Sequence, residues 1–255
     1  MPDVAALFDL TGRRAVVTGA NRGIGLAVAD LLAAAGADVI GVSSSMPDGP
    51  SETRAAVEGH GRTFTPIRAD LADRAAVTAL AADLAGRQVD ILVNNAGIIR
   101  RTPAADHTDE DFDLVLEVNL RAAFVLAREV GRGMVERGHG RIVNVASMLS
   151  FQGGINVPGY TSSKSAILGL TKALANEWAG SGVNVNAVAP GYVATDNTRD
   201  LRRDPQRSRS ILERIPAGRW AEPADIAGAV LFLCSRAADY VHGTTVPVDG
   251  GWLGR

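Results

Sequence analysis

TGANRGIG, residues 18–25, is the stretch from which the fold of this chain can be read. It ends the apolar run RRAVVTG, which has the length and composition of a buried strand. Beyond it Ile24, Val28, Leu31, Leu32 and Ala35 recur at helical spacing on one face. The strand therefore breaks in a turn carrying Gly19, Gly23 and Gly25 and restarts as a helix. Glycine lets the backbone turn tightly and lets a ligand approach with no Cβ in the way. The free N–H groups and positive dipole end of the helix favour a pyrophosphate. A plain tight turn would look similar, so the rest of the chain has to decide.

Working outward, short apolar runs alternate with longer amphipathic ones. ADVIGV and RTFTPI read as strands, RAAVTALAADLA as a helix, and VDILVNNAG as a fourth strand ending in polar and glycine residues. The run DEDFDLVLEVNLRAAFVLAREVGRGMVERG predicts one long helix, with Thr108 as N-cap and Asp111 three residues on. GRIVNVAS is a fifth strand, residues 157–178 a helix, and VNVNAVAP a sixth strand. PADIAGAVLFLCS is a helix with Pro223 in its first turn, and TTVPVDGG closes as a seventh strand. This alternation implies an α/β fold, a mostly parallel sheet with helices on both faces. No linker or internal repeat interrupts it. Residues 191–219 are richer in charge and turn formers, and are expected to be a mobile inserted segment over a binding cleft.

Bulk properties exclude several classes. The 255 residues are 46% hydrophobic, ample for a sizeable core, and the formal net charge is -2. Nothing is basic enough to suggest nucleic acid. The single cysteine, Cys234, lies in an apolar run and reads as a small core residue. The opening MPDVAALFDL carries acids where a signal peptide needs a basic region, and no apolar run reaches the length of a membrane span. The expectation is a cytoplasmic protein, with no membrane partner and no metal site.

The chemistry-bearing candidates follow the strands. Lysine occurs only at Lys164 and Lys172, and tyrosine only at Tyr160, Tyr192 and Tyr240, yet YTSSK sets Tyr160 four residues before Lys164 in a helix. Residues four apart share a face. A phenol with a pKa near 10 needs roughly three units of help, about 4 kcal/mol, to exchange a proton near neutral pH. A neighbouring ammonium favours the phenolate; a surface pair is the plain alternative. Ser147 follows the fifth strand, at the carboxyl end where open α/β sheets bind ligands, and its hydroxyl suits a substrate carbonyl or simply a helix cap. Asn119 stands in a helix interior, where asparagine is mildly unfavourable; a functional amide explains that, as does a surface position. At the end of the second strand, where an acid often holds the ribose hydroxyls, the chain reads VSSS, with no acid before Asp48. No arginine or lysine lies between Arg22 and Arg54 to pair a 2′-phosphate. The expectation leans to NAD, with NADP open and Arg22 as the available cation.

TGANRGIG, NNAG, Asn119, Ser147 and YTSSK together resemble the short-chain dehydrogenase/reductase family, and the resemblance runs on through VAPGYVAT to VDGGW. It implies a Rossmann-type, doubly wound, seven-stranded parallel sheet in one domain over residues 1–255, and hydride transfer with a nicotinamide coenzyme. It also implies roles: Tyr160 as acid/base, Ser147 orienting the carbonyl, Lys164 lowering the tyrosine pKa and gripping ribose, Asn119 holding a relay water. Carried over likewise, Asp70 and Leu71 flank the adenine, Asn95 and Gly97 line the cofactor, and Val193 and Thr195 meet the nicotinamide amide. Gly19, Asn21, Arg22, Gly23, Ile24, Gly25, Ser43, Ala96, Pro190 and Gly191 complete that cofactor set. Members are mostly homotetramers, and the apolar, glycine-rich TTVPVDGGWLGR end is compatible with this.

ASMLSFQGG, APGYVATDNT and RIPAGRW further resemble the branch of the family that acts on keto-deoxy sugar acids. A sugar acid needs a cation for its carboxylate. NNAGIIRR offers Arg100 and Arg101, and the resemblance favours Arg101, with Gln152 for a sugar hydroxyl. Gluconate, an acyl thioester or a steroid-like ketone are alternative substrates, and a dinucleotide sensor without turnover is the reading of another class.

Overall fold

The computed structural model describes residues 3–255. Seven strands form one sheet in the order β3-β2-β1-β4-β5-β6-β7: β1 Arg14–Thr18, β2 Asp38–Ser43, β3 Phe64–Arg68, β4 Ile91–Asn94, β5 Gly140–Val145, β6 Val183–Pro190 and β7 Thr245–Val248. Every pairing is parallel. The strand order reverses between β1 and β4, which opens a crevice at their carboxyl ends.

Both faces are covered, which is why the strands read as continuous apolar runs. Alternate residues divide between two cores. Val17, Val39, Ile91 and Val93 pack with Val28 and Leu32 of α2 (Gly23–Ala34) and Val230 and Leu233 of α10 (Pro223–Cys234). Val16, Ile40, Leu92 and Ile142 pack with Leu80 and Leu84 of α4 (Arg74–Ala85), Leu126 and Met134 of α6 (Ala122–Arg137) and Leu174 of α7 (Pro158–Trp178). A fully buried leucine such as Leu84 or Leu126 contributes about 1.5–3 kcal/mol. Exposed ion pairs, worth about 0–1 kcal/mol each, are secondary to that. Cys234 belongs to the first core, and burial pushes its thiol up to about 12, so it is inert.

Three differences from the sequence reading have physical causes. The long helix begins where expected, the Thr108 hydroxyl accepting from Asp111 N at 3.2 Å, but it is not continuous. α5 (Asp109–Leu116) passes into a π-turn at Glu117–Arg121 before α6 resumes. Periodicity carries no mark for this one-residue widening. Secondly, α3 (Glu52–Gly59) was missed because only Thr53 and Val57 of its eight residues are buried; Ser51 caps it. The short α1 (Val4–Phe8), capped by Asp3, was missed because none of its residues is buried. Thirdly, residues 191–219 are built of short helical pieces: a 3-10 turn at Asp196–Thr198, α8 (Arg199–Arg203) and α9 (Pro205–Leu212). Ile211 and Ile215 pin this strap into an apolar cluster with Met148 and Trp252. Among the described residues no helix is long and apolar enough to cross a membrane.

Loss of the Thr108 cap gives a local test. Thr108→Ala should cost about 1 kcal/mol. That corresponds to a fall of roughly 2–4 °C in melting temperature for a domain of this size; an unchanged melting curve would remove the cap from the account.

Candidate active site

A cleft of about 850 Å³ opens at the carboxyl ends of the strands, floored by the glycine turn and walled by the strap. Hydrogen bonds tie the glycine turn to the end of β4. Thr18 Oγ1 accepts from Asn95 N and Ala96 N, both at 3.0 Å. Asn95 Nδ2 donates to Thr18 O at 2.8 Å. A Cβ at Gly25 would lie 2.1 Å from Gly19 O, and Gly19 and Gly23 have φ of +68° and +55°. Only glycine fits such an approach. The N-cap of α2, Arg22, makes no side-chain cap, so the first N–H groups of the helix face the cleft unshared. The residues therefore fit a dinucleotide: a bare helix start for the pyrophosphate, Asp70 and Leu71 along one wall, and Asn95, Ala96 and Gly97 along the floor.

Ser43 ends β2, and its hydroxyl accepts from Ser45 N at 3.2 Å, while Asn21 Nδ2 donates to Ser45 Oγ at 2.8 Å. No carboxylate stands there. Arg68 pairs in register with Ser43 and donates from Nε to Ser44 O at 3.1 Å. Arg68 lies outside the stretch between Arg22 and Arg54, and only the parallel register brings this cation beside Ser43. Arg22 is otherwise engaged, its Nη1 donating to Asp196 Oδ2 at 3.1 Å across the mouth of the cleft. Thr195, Val193, Pro190 and Gly191 line the same wall.

Ser147, Tyr160 and Lys164 line one end of the cleft together. Pro158 starts α7, which puts Tyr160 in the first turn and Lys164 one turn deeper, with its Nζ 5.8 Å from the Tyr160 ring centroid. Lys164 is 4% exposed, donates to Val145 O at 2.6 Å, and is held down to about 8 by burial. Ser147 follows β5 and accepts from Leu149 N at 3.1 Å, which leaves its hydroxyl proton free to donate. Ser150 Oγ donates to Lys164 O at 2.7 Å and locks that loop onto α7.

Burial raises the Tyr160 phenol above its ordinary value. The Ser147 hydroxyl beside it pulls it back, and so does the positive charge of Arg101. The Lys164 ammonium is turned to the Val145 carbonyl, 5.8 Å from the Tyr160 ring centroid, and Arg101 adds a second positive charge acting on the phenol. Asn119 is 2% exposed, so it is not a surface residue. Its Oδ1 accepts from Ile98 N at 2.8 Å, and its Nδ2 donates to Ile98 O and Ser163 Oγ, both at 3.0 Å. Ser163 Oγ in turn donates to Tyr160 O at 2.8 Å. Both amide N–H groups are taken while Oδ1 keeps a second lone pair, and the side chain couples the π-turn, the end of β4 and the first turn of α7.

Arg101 and Gln152 do not line the cleft. Arg101 reaches from the loop after β4 to the strap, Nη2 donating to Asn197 O at 3.0 Å, whereas Arg100 is tied to Asp111 at 3.0 Å. Gln152 is half-buried in the loop before α7.

Comparison with known proteins agrees with this geometry. The family model described as Enoyl-(Acyl carrier protein) reductase matches residues 19–253. A 2-dehydro-3-deoxy-D-gluconate 5-dehydrogenase from Bacillus subtilis (strain 168) is 54% identical over 249 residues, covering 97% of each chain. A solved structure from Beutenbergia cavernae with NADP at low occupancy superposes with a TM-score of 0.94 at 53% identity, over 98% of this chain and 100% of that one. A gluconate 5-dehydrogenase from Burkholderia cenocepacia J2315, solved with NADP and tartrate, gives a TM-score of 0.91 at 37% identity, over 99% and 100% of the two chains. A parallel sheet ordered 3-2-1-4-5-6-7, a glycine turn under a bare helix start and a serine, tyrosine and lysine around one cleft end agree with these matches, and the chain belongs to the short-chain dehydrogenase/reductase family.

Proposed function

We propose that this enzyme is an NAD(P)-dependent dehydrogenase interconverting 2-dehydro-3-deoxy-D-gluconate and 3-deoxy-D-glycero-2,5-hexodiulosonate. The observation that carries the reading is Ser147, Tyr160 and Lys164 at the nicotinamide end of a cleft that fits a dinucleotide. Relatives of that name at 54%, 53%, 49% and 47% identity support the substrate. A relative described as gluconate 5-dehydrogenase is 38% identical, and gluconate is the second reading.

The bound coenzyme supplies the hydride acceptor or donor and, when oxidised, a positive charge beside the phenol. Tyr160 holds the proton that the alcohol loses and the ketone gains. Ser147 donates to the same oxygen and fixes it against the phenol. Lys164 anchors α7 to β5 through Val145 O and presents its remaining N–H groups to the ribose. Asn119 acts through Ser163 to hold the first turn of α7, a positioning role. At the adenine end, serine hydroxyls with Arg68 in register, and no acid at the end of β2, suit either coenzyme; this moves the expectation away from a lean to NAD. The cytoplasm and a homotetramer remain part of the proposal.

Initial rates with NAD and NADP over a panel of keto sugar acids test the substrate. The keto-deoxy acid should be turned over about 10²-fold more efficiently than gluconate; equal or reversed efficiency moves the assignment to gluconate. Arg101→Ala should raise KM for the sugar acid about tenfold and leave KM for an uncharged ketone unchanged. An equal effect on both substrates takes Arg101 out of the carboxylate site.

A further inference from the structure

Tyr192 lies between Gly191 and Val193, which face the cleft, yet it does not line it. Its ring stands edge-on between Trp220 and Trp252, at centroid distances of 5.3 and 5.0 Å. Met148 and Leu149, the two residues after Ser147, close the same cluster. The box therefore adjoins the reacting end and not the coenzyme end.

The charges around this box are one-sided. Ile211 of α9 is buried in it; Arg207 lies one turn before it on the same face of α9, and Arg214 lies in the turn just past the helix end at Leu212. The Arg214 guanidinium sits 3.9 Å from the Trp252 ring centroid. Arg101 approaches from the opposite wall through its bond to Asn197 O, and its charge acts on both Tyr160 and Tyr192. Among the described residues, none of Arg101, Arg207 and Arg214 is paired with a carboxylate, whereas Arg22, Arg100, Arg199 and Arg219 nearby all are. Trp252 is 5% exposed and its indole Nε1 is buried with no hydrogen-bond partner, a donor left over in the same cluster. Three guanidinium groups without a carboxylate partner, a phenol and a spare indole N–H suit one ligand chemistry: a carboxylate carried on a hydroxylated chain.

We propose that Tyr192, flanked by Arg207 and Arg214, anchors the carboxylate end of the sugar-acid substrate, with Arg101 closing on it from the other side. This rests on the sugar-acid reading above. It adds that specificity for an acid is carried by the strap, through residues the sequence reading did not select. A neutral sugar would leave three cations unpaired beside it, and a longer acyl chain would meet charge where it needs an apolar slot.

The test uses a dead-end complex, so that it does not depend on turnover. The enzyme is saturated with NADPH and titrated with D-gluconate in a calorimeter; both partners are reduced and no reaction follows. The double variant R207Q/R214Q should bind gluconate about tenfold more weakly or worse, and Tyr192→Phe, which keeps the ring in its box, a few-fold more weakly. NADPH affinity should be unchanged in both. The proposal is overturned if the wild type binds no gluconate, if the double variant binds it as well as the wild type does, or if NADPH affinity falls in parallel. Gluconate binding that depends on these residues, together with failure to oxidise any sugar acid, would instead leave the anchor standing and remove the assigned reaction.

Discussion

Tyr160→Phe is expected to lower kcat by at least about 10²-fold while coenzyme affinity stays within a few-fold of wild type. The substitution removes one oxygen and keeps the ring in the first turn of α7. The Asn119–Ser163 support, which holds Tyr160 by its carbonyl, is untouched. Lys164 remains anchored on Val145 O, so the ribose end has no reason to change. Only the proton-carrying group is lost. Stopped-flow or steady-state rates together with a coenzyme titration separate the two quantities. Retention of full activity would remove the acid/base role, and a parallel loss of coenzyme binding would make Tyr160 a structural residue. Burial holds this phenol above its ordinary value, and the Ser147 hydroxyl and the Arg101 charge oppose that.

Gly25→Ala is the second large effect. The added Cβ would lie 2.1 Å from Gly19 O, 2.7 Å from Gly19 C and 2.6 Å from Asn95 Nδ2. Two of those atoms are backbone, in a turn fixed to β4 by Asn95 and Thr18, so no side chain can move aside. Overpacking of this kind costs about 1–3 kcal/mol or more, and here it falls on the surface that meets the pyrophosphate. Coenzyme affinity should drop by about 10²-fold and the melting temperature by several degrees. Gly228→Ala on α10 is the control. That glycine is exposed in mid-helix with nothing within 4 Å of a Cβ, so the change should stabilise by up to about 1 kcal/mol and leave affinity alone. Similar behaviour in the two variants would show that the close approach at Gly25 has no functional weight.

Where packing repeats with a period, the sequence carried it. The strand runs, the α4 boundaries, the Thr108 cap and Pro223 at the start of α10 all follow from local patterns that the fold keeps. Glycine spacing and the Tyr160–Lys164 interval located the cleft because both are local geometry. What escaped was non-local or non-periodic. Arg68 comes beside Ser43 only through the β2–β3 register, 25 residues away in sequence. Arg207 and Arg214 are exposed, and only the packing of Ile211 against Trp252, at the far end of the chain, brings them near the aromatic cluster. The direction of the Tyr160 shift depends on burial, and a motif says nothing about that.

The π-turn at Glu117–Arg121 carries a consequence for how this chain can vary in length. A helix advances about 100° per residue. The widened turn is what lets α5 pack on α7 while α6 packs on α4 and the sheet, with Asn119 aimed at Ile98 between them. Removing a single amino acid from this stretch would regularise the spiral and swing the amide roughly a quarter-turn away from its carbonyl partner. A single-residue insertion or deletion within Glu117–Arg121 should therefore be disruptive unless it is compensated within the same turn.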